Sequence, residues 1–116
     1  ITLVKNAIEK FAENNVEVHV TELAVRNYDN DAEPEHAAFY KKLVQTYVDI
    51  NKAAQAAGKT GPITSLSIWG LFDAPYLSTA DYSYKMNGPY CGLFTELYAV
   101  KDSFKNVYEV LANKRI

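Results

Sequence analysis

Cysteine, methionine and tryptophan each occur once in these 116 residues. The lone cysteine, Cys91, excludes an intrachain disulfide and a thiolate metal cluster. Glycine and proline are sparse, at five and four, which excludes a collagen-like repeat. No apolar run approaches the ~18 residues that a membrane span needs, so no membrane crossing is expected. Neither sign of charge dominates: 12 Lys and Arg against 14 Asp and Glu leave a net charge of −2. With no polybasic arm or basic stripe, no nucleic-acid partner is expected. A glycine-rich phosphate loop and a serine nucleophile elbow are both missing. His19 and His36 do not make a ligand set, so neither a metal nor another cofactor is expected. The opening ITLVKNAIEKF lacks the basic stretch, apolar core and cleavage site of a signal peptide. A leader removed earlier and a chain that never had one both fit that reading.

What is present is an ordinary globular balance, 48% hydrophobic and 22% charged, enough for one domain. Val4, Ala7, Ile8 and Phe11 fall on one helical stripe over about 2–14, with Asn14 and Asn15 ending it. VEVHVTELAV, 16–25, is dense in valine and predicts a strand buried on both faces, as in a parallel sheet. Pro34 lies close to a helix start, and the spacing of Phe39, Leu43, Tyr47, Ile50 and Ala54 predicts a long helix over about 35–57. Gly58 is its stop signal. ITSLSIWGLF predicts a second strand, 73–98 a long Tyr-, Pro- and Gly-rich loop, and Val100, Phe104, Val107 and Leu111 a last helix. The order α-β-α-β-α contains a parallel βαβ unit. Two parallel strands make a poor core alone, because such sheets need cover on both faces. The pattern therefore reads as part of something larger.

Few residues stand out chemically. Glu22 closes an otherwise apolar strand at its carboxyl end, where parallel α/β folds gather ligands and catalytic groups. A surface-facing glutamate at a strand end is the plainer reading. Trp69 and Gly70 close the second strand; the tryptophan suits a pocket floor or the core. Tyr76, Tyr82, Tyr84, Tyr90 and Tyr98 crowd the loop that follows, either to stack on sugar rings or to pin the loop. His19 has the opposite strand parity to Glu22 and is expected to face the helices. Asp29, Asp31, Glu33 and Glu35 read as a solvated loop and as favourable charge at a helix N-terminus.

VEVHVTELAVR resembles the nucleophile strand of glycoside hydrolase family 10, a hydrophobic strand ending in T-E-L-D-V. SIWGLFD resembles the family's next strand, which ends in W-G-x-x-D. GLFTELYAVKDSFKNVYEVL resembles its closing stretch, while AIEKFAENN and HAAFYKKLVQTYV fit its intervening helices. The motifs come in the family's order and cover essentially the whole chain. The resemblance implies an α/β fold, the C-terminal portion of a (β/α)8 barrel. Its elements would be about α6-β7-α7-β8-α8, with parallel strands, incomplete alone. It implies a retaining endo-β-1,4-xylanase acting on xylan or xylo-oligosaccharide, with no cofactor, outside the cell. It makes Glu22 the catalytic nucleophile, places Trp69 in the sugar site and gives Arg26 a structural part.

Two departures bear on the site. The Asp that commonly follows T-E-L is Ala24 here, and the second pocket tryptophan after W-G-x-x-D is replaced by Ala-Pro-Tyr, where Tyr76 is the candidate substitute. A whole barrel takes ~250 residues, so residues 1–116 read as a C-terminal fragment of the catalytic domain. Retaining hydrolysis needs two carboxyls roughly 5–5.5 Å apart, and the family's N-E-x acid/base segment does not occur here. The resemblance thus implies a missing barrel half supplied by another chain or segment. Two alternatives stay open: a carbohydrate-binding module that does not cleave, with a homo-oligomer covering the open faces, and an inactive fragment.

Overall fold

The computed structural model describes residues 1–75 and 87–113. Helix α1 spans Thr2–Glu13, strand β1 Val18–Leu23, helix α2 Glu33–Ala56, strand β2 Ile63–Ile68 and helix α3 Asp102–Ala112. A single 3-10 turn, Asn30–Ala32, leads into α2. The strands pair in parallel as a two-stranded sheet, so β1-α2-β2 is the expected βαβ unit.

The first two helices stop in the same way. Asn15 takes φ 59° and Gly58 φ 74°, both in the left-handed region. The amide of Asn15 donates to Ala12 O and that of Val16 to Phe11 O, while Gly58 donates to Gln55 O and Lys59 to Ala54 O. This is the Schellman pattern, which satisfies carbonyls the last turn leaves without partners. Asparagine and glycine are the residues that enter this conformation at least cost.

On α2 the buried positions are His36, Ala37, Tyr40, Leu43, Val44, Tyr47 and Ile50. Tyr40 therefore fills the place expected of Phe39, which is 45% exposed. The buried face runs 36, 40, 43, 47, 50, and Phe39 lies beside that row. The core joins α2 to Ile8 of α1, Leu23 and Val25 after β1, Leu93 of the last loop, and Val107 and Val110 of α3. Asn51 fixes the start of β2 on α2: its Nδ2 donates to Ile63 O at 2.7 Å and its Oδ1 accepts from Ile63 N at 3.0 Å.

Three expectations change. The β1 strand is not buried on both faces: Val18 and Val20 pack against the core, but His19, Thr21 and Glu22 are exposed. The helices cover one face of the sheet, and among the described residues nothing covers the other. Val4 and Phe11 of the α1 stripe are exposed, and only Ile8 is buried. Val100, just before α3, and Leu111 on it are likewise exposed, and Ser103, Val107 and Val110 form the buried face of the helix.

His19 does not face the helices either. Its Nε2 lies 3.1 Å from Glu17 Oε1, and the Thr64 hydroxyl donates to that same oxygen at 2.5 Å. These contacts, Thr64 first, hold the Glu17 carboxyl below its ordinary range. The parity argument failed because neither strand keeps a regular register. Val20 pairs with Leu66 and Leu23 with Ile68, so β1 carries one extra residue between them. That bulge returns Leu23 to the core and leaves both Thr21 and Glu22 outside it.

Candidate functional site

The parallel pairing sets the carboxyl ends of β1 and β2 side by side. Leu23 pairs with Ile68, and the next amide, Trp69 N, donates to Leu23 O at 2.9 Å. Glu22 immediately precedes Leu23, so the carboxylate and the tryptophan leave the sheet at one edge. Glu22 is exposed and has no hydrogen bond or ion pair among the described residues. Trp69 is 44% exposed. Gly70 follows at φ 74°, a conformation that favours glycine. An exposed carboxylate and a partly exposed aromatic ring at neighbouring strand ends can approach an uncharged sugar and meet its ring.

Tyr76, Tyr82 and Tyr84 lie outside the described residues. Tyr90 is half-buried. Tyr98 is 74% exposed, takes φ 65°, and stands edge-on to Phe72 with ring centroids 4.9 Å apart. Phe72, Phe94 and Phe104 continue that run of rings into α3. For Tyr98 the pinning role is thus the one the contacts fit. Ala24 and Arg26 line a groove of about 450 Å³ together with Asn27, Glu35, His36 and Phe39. A larger concavity of about 820 Å³ lies near the amino ends of the strands, beside Glu17, Gly61 and Thr64. Neither is lined by Glu22 or Trp69. Arg26 is exposed, with no ion pair among the described residues. Among those residues no three His, Cys, Asp or Glu side chains are placed to hold a metal ion.

The loop after Trp69 is held by charge. Asp73 is 2% exposed and Lys101 6%. Lys101 Nζ reaches Asp73 Oδ1 at 2.9 Å, Gly92 O at 2.9 Å, Tyr90 O at 3.0 Å and Glu33 Oε2 at 3.1 Å. Asp73 Oδ1 also accepts from Gly92 N at 2.9 Å, and Asp73 N donates to Phe94 O at 2.8 Å. A side chain on Gly92 would meet Asp73 N and Phe72 C at 2.5 Å, so the two segments touch only because that residue is glycine. Burial pushes the Asp73 carboxyl above its ordinary value, against the pull of Lys101 and Gly92.

Glu33, read from the sequence as part of a solvated acidic group, is the second anion of this cluster. Its Oε1 accepts from Ser103 N at 3.0 Å, capping α3 from another helix. Its Oε2 faces Lys101 and, at 3.1 Å, His36 Nδ1. Burial would raise this carboxyl, but the Ser103 amide and Lys101 outweigh it and hold it below the ordinary range. His36 Nε2 lies 3.1 Å from Val25 O. Both ring nitrogens thus face acceptors. Sequence reasoning missed Lys101 and the buried part of Glu33. The only signal was a lysine in an otherwise apolar approach to the last helix.

The model of the family described as Glycosyl hydrolase family 10 matches residues 1–110. Endo-1,4-beta-xylanase B of Butyrivibrio fibrisolvens is 34% identical over 71 residues, which are 60% of this chain and 10% of that protein. Among solved structures, native xylanase 10B from Thermotoga maritima superposes with a TM-score of 0.70 at 20% identity, over 95% of this chain and 31% of that one. Xylanase 10B from Thermotoga petrophila RKU-1, in complex with xylobiose, gives 0.69 at 21%, again over 95% and 31%. The chain therefore spans about a third of the solved relatives it matches and a tenth of the curated one. At such identities the superpositions speak to fold: these helices and parallel strands are part of a (β/α)8 barrel. With the family model matched over nearly its whole length, the chain belongs to glycosyl hydrolase family 10.

Proposed function

We propose that residues 1–116 are the C-terminal part of the catalytic domain of a retaining endo-β-1,4-xylanase. Glu22 supplies the nucleophile, Trp69 and Tyr76 hold the sugar, and the acid/base carboxyl comes from polypeptide outside these residues. The observation that carries this is the pairing of strand ends, with Trp69 N bonded to Leu23 O next to an exposed Glu22. Membership of the family supports a glycoside hydrolase, and the polymeric substrate an extracellular place of action.

In the proposed reaction the Glu22 carboxylate attacks the anomeric carbon of a xylosyl unit. The second carboxylic acid gives its proton to the departing glycosidic oxygen. Water, deprotonated by that same group, then displaces Glu22 from the glycosyl-enzyme, and the sugar leaves with its configuration retained. Glu22 is exposed at the strand end, outside the core.

The test is to assay the longest polypeptide that carries these residues on xylan, with proton NMR following the first reducing ends released. Hydrolysis with retention that Glu22→Ala abolishes supports the assignment. Hydrolysis that survives the change overturns it. Sugar binding without product in the unmodified protein, indifferent to Glu22→Ala, supports a binding module instead.

A further inference from the structure

Glu22 and Trp69 lie on different strands, and the segments following them are joined by one buried line of hydrogen bonds. From Val25, three residues after Glu22, the line runs through His36 Nε2 and Nδ1 to Glu33 Oε2, on to Lys101 Nζ, and ends at Asp73 Oδ1. Asp73 comes four residues after Trp69. The His36 side chain is 1% exposed, that of Asp73 2%, Lys101 4% and Glu33 17%. We infer that this His36–Glu33–Lys101–Asp73 relay is a positioning device that sets the nucleophile strand end against the tryptophan. It rests on the proposed function for its catalytic meaning, but its geometry stands apart from it.

The relay differs from ordinary core packing in three respects. Its members come from four places in the chain: the amino end of α2, the loop after β2, and the approach to α3, with the Val25 carbonyl after β1 as terminus. None of the four side chains belongs to the Glu22 and Trp69 surface, so they are positioning residues and not catalytic ones. Each link is also charged or strongly polar in a dry setting, where directional hydrogen bonds fix distance more sharply than apolar contacts do. Lys101 lies between the Asp73 and Glu33 carboxylates, and His36 joins Glu33 to the Val25 carbonyl. A defect at one end therefore reaches the other through Glu33 and Lys101. The groups facing the line are the carbonyls of Tyr90 and Gly92 and the amides of Gly92 and Ser103. The buried Cys91 thiol, which burial holds above its ordinary value, sits beside the relay.

Trp69 is the one tryptophan of these 116 residues, and in a longer polypeptide Trp69→Phe identifies its share of the emission. His36→Gln, Asp73→Asn and the double variant are to be compared in the longest polypeptide that carries these residues. The readouts are acrylamide quenching of Trp69 and kcat and KM on xylo-oligosaccharide. Asp73→Asn keeps an oxygen for Gly92 N, and His36→Gln keeps a donor, so both are milder than Lys101→Met. Each single change is expected to alter quenching and to lower kcat about tenfold or more while KM moves less. The double variant is expected to be no worse than its more damaging parent, because both changes act through the same Glu33 and Lys101 contacts. Additive effects in the double variant, or single variants that fold yet keep Trp69 quenching and kcat unchanged, would overturn the relay. Absence of xylan hydrolysis in the unmodified protein overturns the xylanase reading instead, and the quenching comparison then still decides the relay.

Discussion

Glu22 and Glu33 are both carboxylates near the carboxyl ends of the strands, and their settings are opposite. Glu22 is exposed, with no partner among the described residues; Glu33 is held by Ser103 N, Lys101 and His36. Replacing Glu22 with Ala is expected to cut turnover by orders of magnitude while thermal midpoint stays within a degree or two, since exposed changes cost about 0.5 kcal/mol or less. A large drop in midpoint would assign Glu22 to the fold. Glu33→Gln is expected to do the reverse, lowering stability at neutral pH. The sign follows from its lowered carboxyl: the folded state binds the proton more weakly than the unfolded one, so its contribution is present above the ordinary value of 4.5. That contribution is lost as pH falls through the lower folded value. The stability gap between wild type and Glu33→Gln should therefore narrow on acidification below 4.5, as followed by denaturant titration at several pH values. A gap that widened in acid would mean that the carboxylate is not the form the fold uses. Lys101→Met leaves two buried anions without their cation and is expected to cost about 3–5 kcal/mol.

At the level of elements, the two matched helix stops allow a sharper comparison. A Cβ on Gly58 would meet nothing within 4 Å, so Gly58→Ala pays only for the left-handed backbone, about 1 kcal/mol. Asn15→Gly should be neutral or mildly stabilising at the equivalent place on α1. Melting curves for the two variants check both, and equal effects would mean that the caps do not share one origin. These stops were legible in advance, because Asn-Asn and Gly after an apolar stripe have a local cause. So were the five elements and their parallel order, from periodicity and from the βαβ logic. The directions of His19 and Glu22 were not. Alternation along β1 holds only if no residue is inserted, and the bulge between Val20 and Leu23 breaks it. Nothing local in Val-Thr-Glu-Leu announces that insertion, which depends on how β2 pairs. The Glu33–Lys101 contact was equally hidden, since partners distant in sequence meet only once α2 and α3 pack.

For the molecule as a whole, the helices cover one face of a two-stranded sheet and leave the other without cover among the described residues. Val4, Phe11, Val16, Trp69 and Leu71 are all exposed apolar groups. The continuous valine run of β1 suggested burial on both sides because it suits a barrel, and the chain spans 31–34% of the solved barrels it matches. Within the covered half, Leu43→Ala is expected to cost about 2–5 kcal/mol, because the residue is buried in the core cluster. The same substitution at exposed Leu3 should cost almost nothing. Burial of Lys101 also gives the chain a chemical clock. A reagent that acylates amines in water will mark Lys5, Lys10, Lys41 and Lys105, whose side chains stand in solvent, and pass over Lys101. Acylation at Lys101 can begin only when α3 and the loop carrying Asp73 part from α2. Its rate therefore counts how often the two strand ends lose their common anchor.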